Sequence, residues 1–267
     1  MTHGWFAGAA RPRVLAHRGL LTAADVADGV VENSFAAIAA AHAAGAEYIE
    51  SDCHLTADGR VVLFHDADLV RVAGDRRRIA DVTSAELDSL LEGRGGMITL
   101  EQALDAFPDT RFNLDVKAKD AAVQVGRIVA PYADRVLLAS FSDVRRRTAL
   151  AAATSAAPGT RPATSAGSAT IGRVLSALAS RSSGLVARAL ADVDALQVPE
   201  RYRSWRIVTP RLIAAAHRHH VEVHVWTVND PRDMRRLVSM GVDGLVTDRA
   251  DLALEVLQGD NPPPTHP

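Results

Sequence analysis

Cysteine is almost absent from this chain. Cys53 is the only one in 267 residues, so no intramolecular disulfide can form and a cysteine-rich zinc site is excluded. Lysine is nearly as scarce: of the 30 basic residues, only Lys117 and Lys119 are not arginine. With the abundant alanine, that skew is attributed to genome base composition and says little about function. No apolar run reaches the roughly 18 residues of a membrane span. Met1–Pro12 lacks the basic and apolar regions of a secretory signal. The expectation is a soluble, cytoplasmic protein with no integral membrane association. Neither sign of charge dominates, since 30 Lys and Arg face 32 Asp and Glu for a net charge of −2. A nucleic-acid binder usually carries a basic stripe, so that class is disfavoured. An anionic small molecule held by a few local charges is not. Hydrophobic residues, at 48%, supply a large core and exclude disorder for most of the chain.

A glycine-rich phosphate loop is missing too. No GxGxxG follows the first apolar run, which argues against an open doubly wound sheet. What is present is an end-to-end alternation of short apolar runs and helical patterns. The runs are Val14–His17, Glu47–Cys53, Phe112–Lys117, Val136–Phe141, Arg161–Ser165, Ala195–Pro199, Val221–Val228 and Gly244–Thr247. After the second, Thr56-Ala57-Asp58-Gly59 supplies a turn and Val61–His65 folds back as a hairpin. Asn33 is expected to cap a helix over Ser34–Ala44, stopped by Gly45. Thr83 with Glu86, and Thr99 with Gln102, spell capping boxes. Thr209-Pro210 and Asp230-Pro231 place proline in the first turn after a cap. Eight strands separated by helices predict an α/β fold, a (β/α)8 TIM barrel with a small hairpin insertion after the second strand. Residues 1–12 read as an N-terminal extension, 13–258 as a single barrel domain, and 259–267, with three consecutive prolines, as a disordered tail.

In such a barrel the chemistry sits at the C-terminal strand ends. The first strand ends in His17-Arg18-Gly19. The second carries Glu50, Asp52 and His54, spaced by two and so on one face. The hairpin ends in His65-Asp66, the third strand carries Asp115 and Lys117, the seventh Trp226, and the eighth ends in Thr247-Asp248. Three carboxylates on neighbouring strand ends repel unless something neutralises them. A hard divalent cation (Ca2+, Mg2+ or Mn2+) resolves that conflict. Two histidines, an arginine and a lysine at the same mouth add proton transfer and anion binding. The combination points to metal-assisted attack on a phosphate ester.

Leu15-Ala16-His17-Arg18-Gly19, Glu32-Asn33-Ser34, Ile49-Glu50-Ser51-Asp52, Leu55-Thr56-Ala57-Asp58-Gly59 and His65-Asp66, in that order, resemble the glycerophosphodiester phosphodiesterase family. So do Asn113-Leu114-Asp115-Val116-Lys117, Val225-Trp226-Thr227-Val228-Asn229 and Val246-Thr247-Asp248, and the match runs from about Val14 to Leu257. One position departs: the family usually has glutamate where this chain has Asp115. The resemblance implies a hydrolase that turns glycerophosphodiesters into sn-glycerol 3-phosphate and an alcohol. It implies one divalent cation, Mg2+ or Ca2+ with Mn2+ as the alternative, held by Glu50, Asp52 and Asp115. His17 and His65 become the acid–base pair, and Arg18 and Lys117 grip the phosphate. Glu32 and Asn33 shape the first loop beside the substrate, and Trp226 walls the glycerol or alcohol portion. Two rival functions stay open: a lysophospholipase D-like lipid phosphodiesterase, which needs an apolar entrance, and a catalytically silent phosphodiester-binding barrel. Retention of both His17 and His65 beside the carboxylates argues against the silent barrel.

Other conspicuous residues read as structural. His54 is expected to hydrogen bond inside the barrel rather than act as a ligand, and Cys53 to face the helices. His217, His219 and His220 are expected at a helix C-terminus, where positive charge is favoured. The runs Arg76-Arg77-Arg78 and Arg145-Arg146-Arg147 are expected on solvated faces.

Overall fold

The structure, a computed structural model, describes residues 3–9 and 11–258. The expected tail 259–267 lies outside the described residues. Eight parallel strands form the frame: β1 (Arg13–His17), β2 (Tyr48–Leu55), β3 (Arg111–Val116), β4 (Val136–Ala139), β5 (Ala163–Thr164), β6 (Ala195–Pro199), β7 (Glu222–Trp226) and β8 (Gly244–Thr247). Around the ring β5, β4, β3, β2, β1, β8, β7 and β6 pair in turn. A single parallel bridge from Ser165 to Ala195 joins the ends, so the barrel is nearly closed. Helices connect the strands, as a parallel sheet covered on its outer face requires. The expected hairpin is present, with Val61–Leu63 antiparallel to the end of β2. No helix among the described residues is long and apolar enough to cross a membrane.

Alternate residues of each strand face opposite sides, which divides the core in two. Val14, Ala16, Ile49, Cys53, Phe112, Leu114 and Val116 point outward to the helices and belong to the larger cluster. Leu15, Tyr48, Leu137, Ala163, Ala195 and Val246 point inward. Trp5 and Phe6 of the N-terminal segment join the inward set. Trp5 is fully buried, donates from Nε1 to the Phe112 carbonyl at 3.1 Å, and meets Tyr48 edge-on with centroids 4.7 Å apart. It plugs the barrel floor, and burying a large apolar side chain contributes roughly 1.5–3 kcal/mol. Beside it the Arg13 guanidinium donates to both Glu222 oxygens at 2.8 and 2.9 Å, to the Tyr48 hydroxyl and to the Phe6 carbonyl.

Three local expectations need correction. Ser34, not Asn33, caps the helix between β1 and β2, which spans Phe35–Ala43: the Ser34 hydroxyl accepts from the Ala37 amide. Both residues belong to the capping class, but Asn33 takes a left-handed φ of 58° and turns its side chain inward. Arg146 is not solvated. It is 2% exposed, with its guanidinium 3.6 Å from Asp143 and its Nη1 donating to the Asp192 carbonyl at 3.3 Å. The strand expected over Arg161–Ser165 is shorter, Ala163–Thr164. Elsewhere the local chemistry is as read: both capping boxes form, and Thr209 and Asp230 cap helices with proline in the first turn.

Candidate active site

The mouth of the barrel is built outward from the end of β1. After His17 the chain turns through two left-handed residues, Arg18 (φ 60°) and Gly19 (φ 94°). The Arg18 amide donates to the Glu50 carbonyl at 2.8 Å. A Cβ at position 19 would lie 2.6 Å from the Ala37 carbonyl carbon, so only glycine fits there. This turn sends the Arg18 side chain across the mouth. Its Nη1 donates to Glu32 Oε1 at 2.7 Å, and its Nε lies 3.4 Å from Asp52 Oδ2. Asn33 supports the same carboxylate: it accepts from the Ser51 hydroxyl at 2.7 Å and donates to Asp52 Oδ2 at 3.4 Å.

Strands β2 and β3 place Glu50, Asp52, Asn113 and Asp115 on the inner face. Asp52 and Asp115 are direct register partners, about 4.8 Å apart by strand spacing. Lys117 bends back between them, its ammonium 3.0 Å from Asp52 and 2.9 Å from Asp115. Burial disfavours that ammonium, but the two carboxylates more than offset the cost and raise its proton affinity above the usual lysine value. Burial raises the Asp115 carboxyl, with Lys117 pulling it back down. Glu50 is pushed well above the usual carboxylate range, first by burial and then by the charges of Asp52 and Asp115. Three buried oxygens at this spot, Glu50 Oε2, Asn113 Oδ1 and Asp115 Oδ1, have no hydrogen-bond donor.

Among the described residues, no three His, Cys, Asp or Glu side chains are grouped as a ready metal centre. The Lys117 ammonium stands between two of the expected ligands instead. The donor set nevertheless fits a hard cation: three donor-less oxygens and a carboxyl of raised proton affinity all face one cavity.

The two histidines stand on separate elements and share one arrangement. His17 Nδ1 is held by Asp248 at 2.6 Å, which leaves Nε2 facing inward, 3.9 Å from Glu50. His65 Nδ1 is held by Asp66 at 2.7 Å. Each carboxylate is itself held. Asn229 donates to Asp248 at 2.7 Å, and Arg71 donates to Asp66 at 2.7 Å. The hydrogen bond from His17 holds the Asp248 carboxyl below its usual range. For Asp66, burial works upward, but the hydrogen bonds from His65 and Arg71 win and lower it. Both carboxylates therefore stay ionised and fix their imidazoles. His54 turns to another partner: its Nε2 lies 3.2 Å from the His65 carbonyl, and burial pushes its imidazole below the usual value.

One cavity of about 690 Å3 collects these groups. His17, Arg18, Glu50 and Asp52 line it, as do His65, Asp115, Lys117 and Trp226. Glu32 is not on the wall. It stands behind Arg18, its Oε1 shared with Arg71 at 2.6 Å. The opposite half of the cavity is apolar, with Phe141, Ile171, Leu175, Val198 and Ile207 facing Trp226. Phe141 meets Trp226 edge-on at 5.9 Å. Asn113, Asp66, Asp248, Asn229 and Arg71 are members of the constellation that the sequence reading gave no role. Asn113 was visible in the period-two series through Asp115 and Lys117, and Asp66 and Asp248 as acids at strand ends. Arg71 left no signal.

A wall of ionisable side chains facing an apolar wall at the mouth of a parallel barrel agrees with what relatives of this chain are. A family model described as the glycerophosphoryl diester phosphodiesterase family matches residues 17–252. A Mycobacterium tuberculosis protein named "Probable glycerophosphodiester phosphodiesterase 2" is 39% identical over 236 residues, 84% of each chain. The crystal structure of a glycerophosphodiester phosphodiesterase from Thermotoga maritima superposes with a TM-score of 0.70 at 26% identity, over 91% of this chain and 97% of that one. An Oleispira antarctica phosphodiesterase, solved with its product sn-glycerol-3-phosphate, has a TM-score of 0.69 at 21% identity, over 93% and 97%. Enzymes of this kind generally depend on a divalent metal. The chain belongs to the glycerophosphoryl diester phosphodiesterase family and is a phosphoric diester hydrolase.

Proposed function

We propose that residues 13–258 act as one catalytic domain in which His17 and His65 are the acid–base pair of glycerophosphodiester hydrolysis. The products are sn-glycerol 3-phosphate and an alcohol. One observation carries the assignment: two imidazoles, each tied at Nδ1 to a carboxylate, face a single cavity that also holds a guanidinium and an ammonium. Arg18 and Lys117 bind the phosphate oxygens. One imidazole takes the proton of the nucleophile, water or the neighbouring glycerol hydroxyl, and the other gives a proton to the departing alkoxide. Glu32 positions Arg18 from behind, and Trp226 walls the organic part of the substrate. The cytoplasm, expected from the sequence, is the proposed location.

Glu50, Asp52 and Asp115 are the proposed holders of a divalent ion, Mg2+ or Ca2+ with Mn2+ as the alternative. When bound, that ion offsets phosphate charge and polarises the ester. Hydrolysis of glycerophosphocholine is expected to stop on chelation and return on adding Mg2+ or Ca2+. Full turnover in a demetallated sample with chelator present overturns the assignment. Asp115 is one methylene shorter than the glutamate usual in the family, yet its carboxylate faces the site beside Asp52. Asp115→Ala is expected to weaken metal binding about tenfold or more, read by titration calorimetry, and Asp115→Glu to retain measurable activity. Unchanged metal affinity in Asp115→Ala removes it from the ligand set.

Asp248 acts through His17. Asp248→Asn removes the charge that fixes the His17 tautomer, so kcat should fall about 10–100-fold and the pH–rate profile should move. A fall in kcat with an unmoved profile assigns Asp248 a structural role only.

A further inference from the structure

No element is expected from the sequence between Pro199 and Thr209, yet the structure has one. Arg201–Tyr202 and Trp205–Arg206 form a short antiparallel hairpin at the C-terminal end of β6. The Ile207 and Val208 amides, both donating to the Glu200 carbonyl, close its base. Glu200 ties that base to the helix Pro231–Ser239 by accepting from Arg236 at 2.7 Å. The pairing register sorts the side chains into two faces. Tyr202 lies opposite Trp205, and Arg201 lies opposite Arg206. Both aromatics stand in solvent, Trp205 at 74% exposed and Tyr202 at 59%.

Two features of this hairpin are costly for an element that meets only water. Like charges directly opposite each other destabilise a strand pair. Arg201 and Arg206 are such a pair, and among the described residues neither they nor Arg203 at the turn has a carboxylate within salt-bridge distance. A two-stranded hairpin is marginal in water by itself, and this one spends its aromatic pair on solvent rather than on the core. An anionic surface with an apolar interior offsets both costs. Arginines meet the charged headgroups, and tryptophan and tyrosine favour the boundary between wet and apolar layers. The position agrees. Tyr202 is exposed and also lines the apolar half of the cavity, to which Phe141, 55% exposed, belongs as well.

We propose that the Arg201–Arg206 hairpin docks the barrel mouth onto an anionic lipid surface. A long polyanion such as RNA is disfavoured, because the basic residues form one tip rather than a stripe on a chain of net charge −2. The attachment is peripheral, held by one aromatic pair and three arginines, and the catalytic residues take no part in it.

The full-length protein is mixed with vesicles of phosphatidylcholine, with or without phosphatidylglycerol. Expected is co-sedimentation with the anionic vesicles only, weakened by added salt. Trp205 is the most exposed of the three tryptophans, so its fluorescence should shift to the blue in the unmutated protein on binding. Trp205→Ala, and separately Arg203→Glu, should each lower partitioning about tenfold, with hydrolysis of soluble glycerophosphocholine and the thermal midpoint unchanged. Vesicle binding and hydrolysis are separate readouts, so either reading can fail while the other stands. The proposal is overturned if the unmutated protein ignores anionic vesicles, if both variants bind as it does, or if the hairpin binds heparin or RNA but not vesicles.

Discussion

Replacing either His17 or His65 with alanine is expected to lower kcat by about 10²–10⁴-fold, the range for a general acid or base. The geometry explains why each loss should be that large. Asp248 and Asp66 hold the two Nδ1 atoms at 2.6 and 2.7 Å, so each ring presents Nε2 to the cavity in one tautomer. With the proposed roles, removing one ring leaves the nucleophile without a base or the alkoxide without an acid, and no neighbour replaces it. His54 does not: it is buried, and its Nε2 is engaged with the His65 carbonyl. The double variant should cost little more than the worse single one, because both rings serve one transition state. KM should change less than kcat, since the proposed phosphate ligands Arg18 and Lys117 are untouched. Both rings are partly exposed at the mouth, so thermal midpoints should move little. Near-normal kcat in His65→Ala would dissolve the pair. Binding without turnover in the unmutated protein is the result a silent barrel gives.

The barrel was legible because its strands are buried on both faces and bounded by turn chemistry. Ala195–Pro199 and Gly244–Thr247 are found with the bounds read from the sequence. The mouth was legible for a related reason. A period of two places Glu50 with Asp52, and Asp115 with Lys117, on the inward face, and an inward polar residue near a strand end has few roles other than chemistry. What the sequence hides is contact between distant segments. Lys117 reads as a phosphate ligand, but only the β2–β3 register shows that its ammonium is shared by Asp52 and Asp115. Asp248 lies 231 residues from the ring it holds. Arg71 sits on a short helix with nothing to mark it, yet it ties Glu32 to Asp66 and so links the arginine side of the site to His65. Arg146 sits in a run of three arginines that looks solvated, and only packing selects the middle one for burial. The exposed hairpin had a signal, the alternation Arg201-Tyr202-Arg203-Ser204-Trp205-Arg206, but it is too short to register as a strand pair.

Glu222→Ala is expected to destabilise the protein by about 3–5 kcal/mol, the cost of leaving a buried charge without its partner. Glu222 sits at the barrel floor, the end opposite the cavity. Both its oxygens accept from Arg13, whose side chain is fully buried, and Oε2 also faces His224 at 3.0 Å. Truncation strands the Arg13 guanidinium, which keeps only the Tyr48 hydroxyl and the Phe6 carbonyl as acceptors. At about 2–4 °C per kcal/mol for a chain of this size, the thermal midpoint should fall by roughly 10 °C. The same carboxylate gives the floor a pH signature. Burial works to raise its pKa, but the hydrogen bonds from His224 and Arg13 prevail and lower it to about 2. A depressed carboxyl stabilises the fold fully above its unfolded value and loses that contribution as pH falls through the folded one. Between roughly pH 4.5 and 2 the unmutated protein should therefore lose about 3 kcal/mol at this group, by 1.36 kcal/mol per unit. In Glu222→Gln that part of the acid loss disappears, so the two stability curves should converge as pH falls. Denaturant melts at neutral and acid pH measure both effects. Parallel curves across that range would show that the Glu222 carboxyl titrates alike in the folded and unfolded chain, so that its buried contacts do not lower it. At pH 7 the folded fraction of either variant should keep its kcat, because the floor and the mouth are separated by the inward layer of Leu15, Leu137 and Val246.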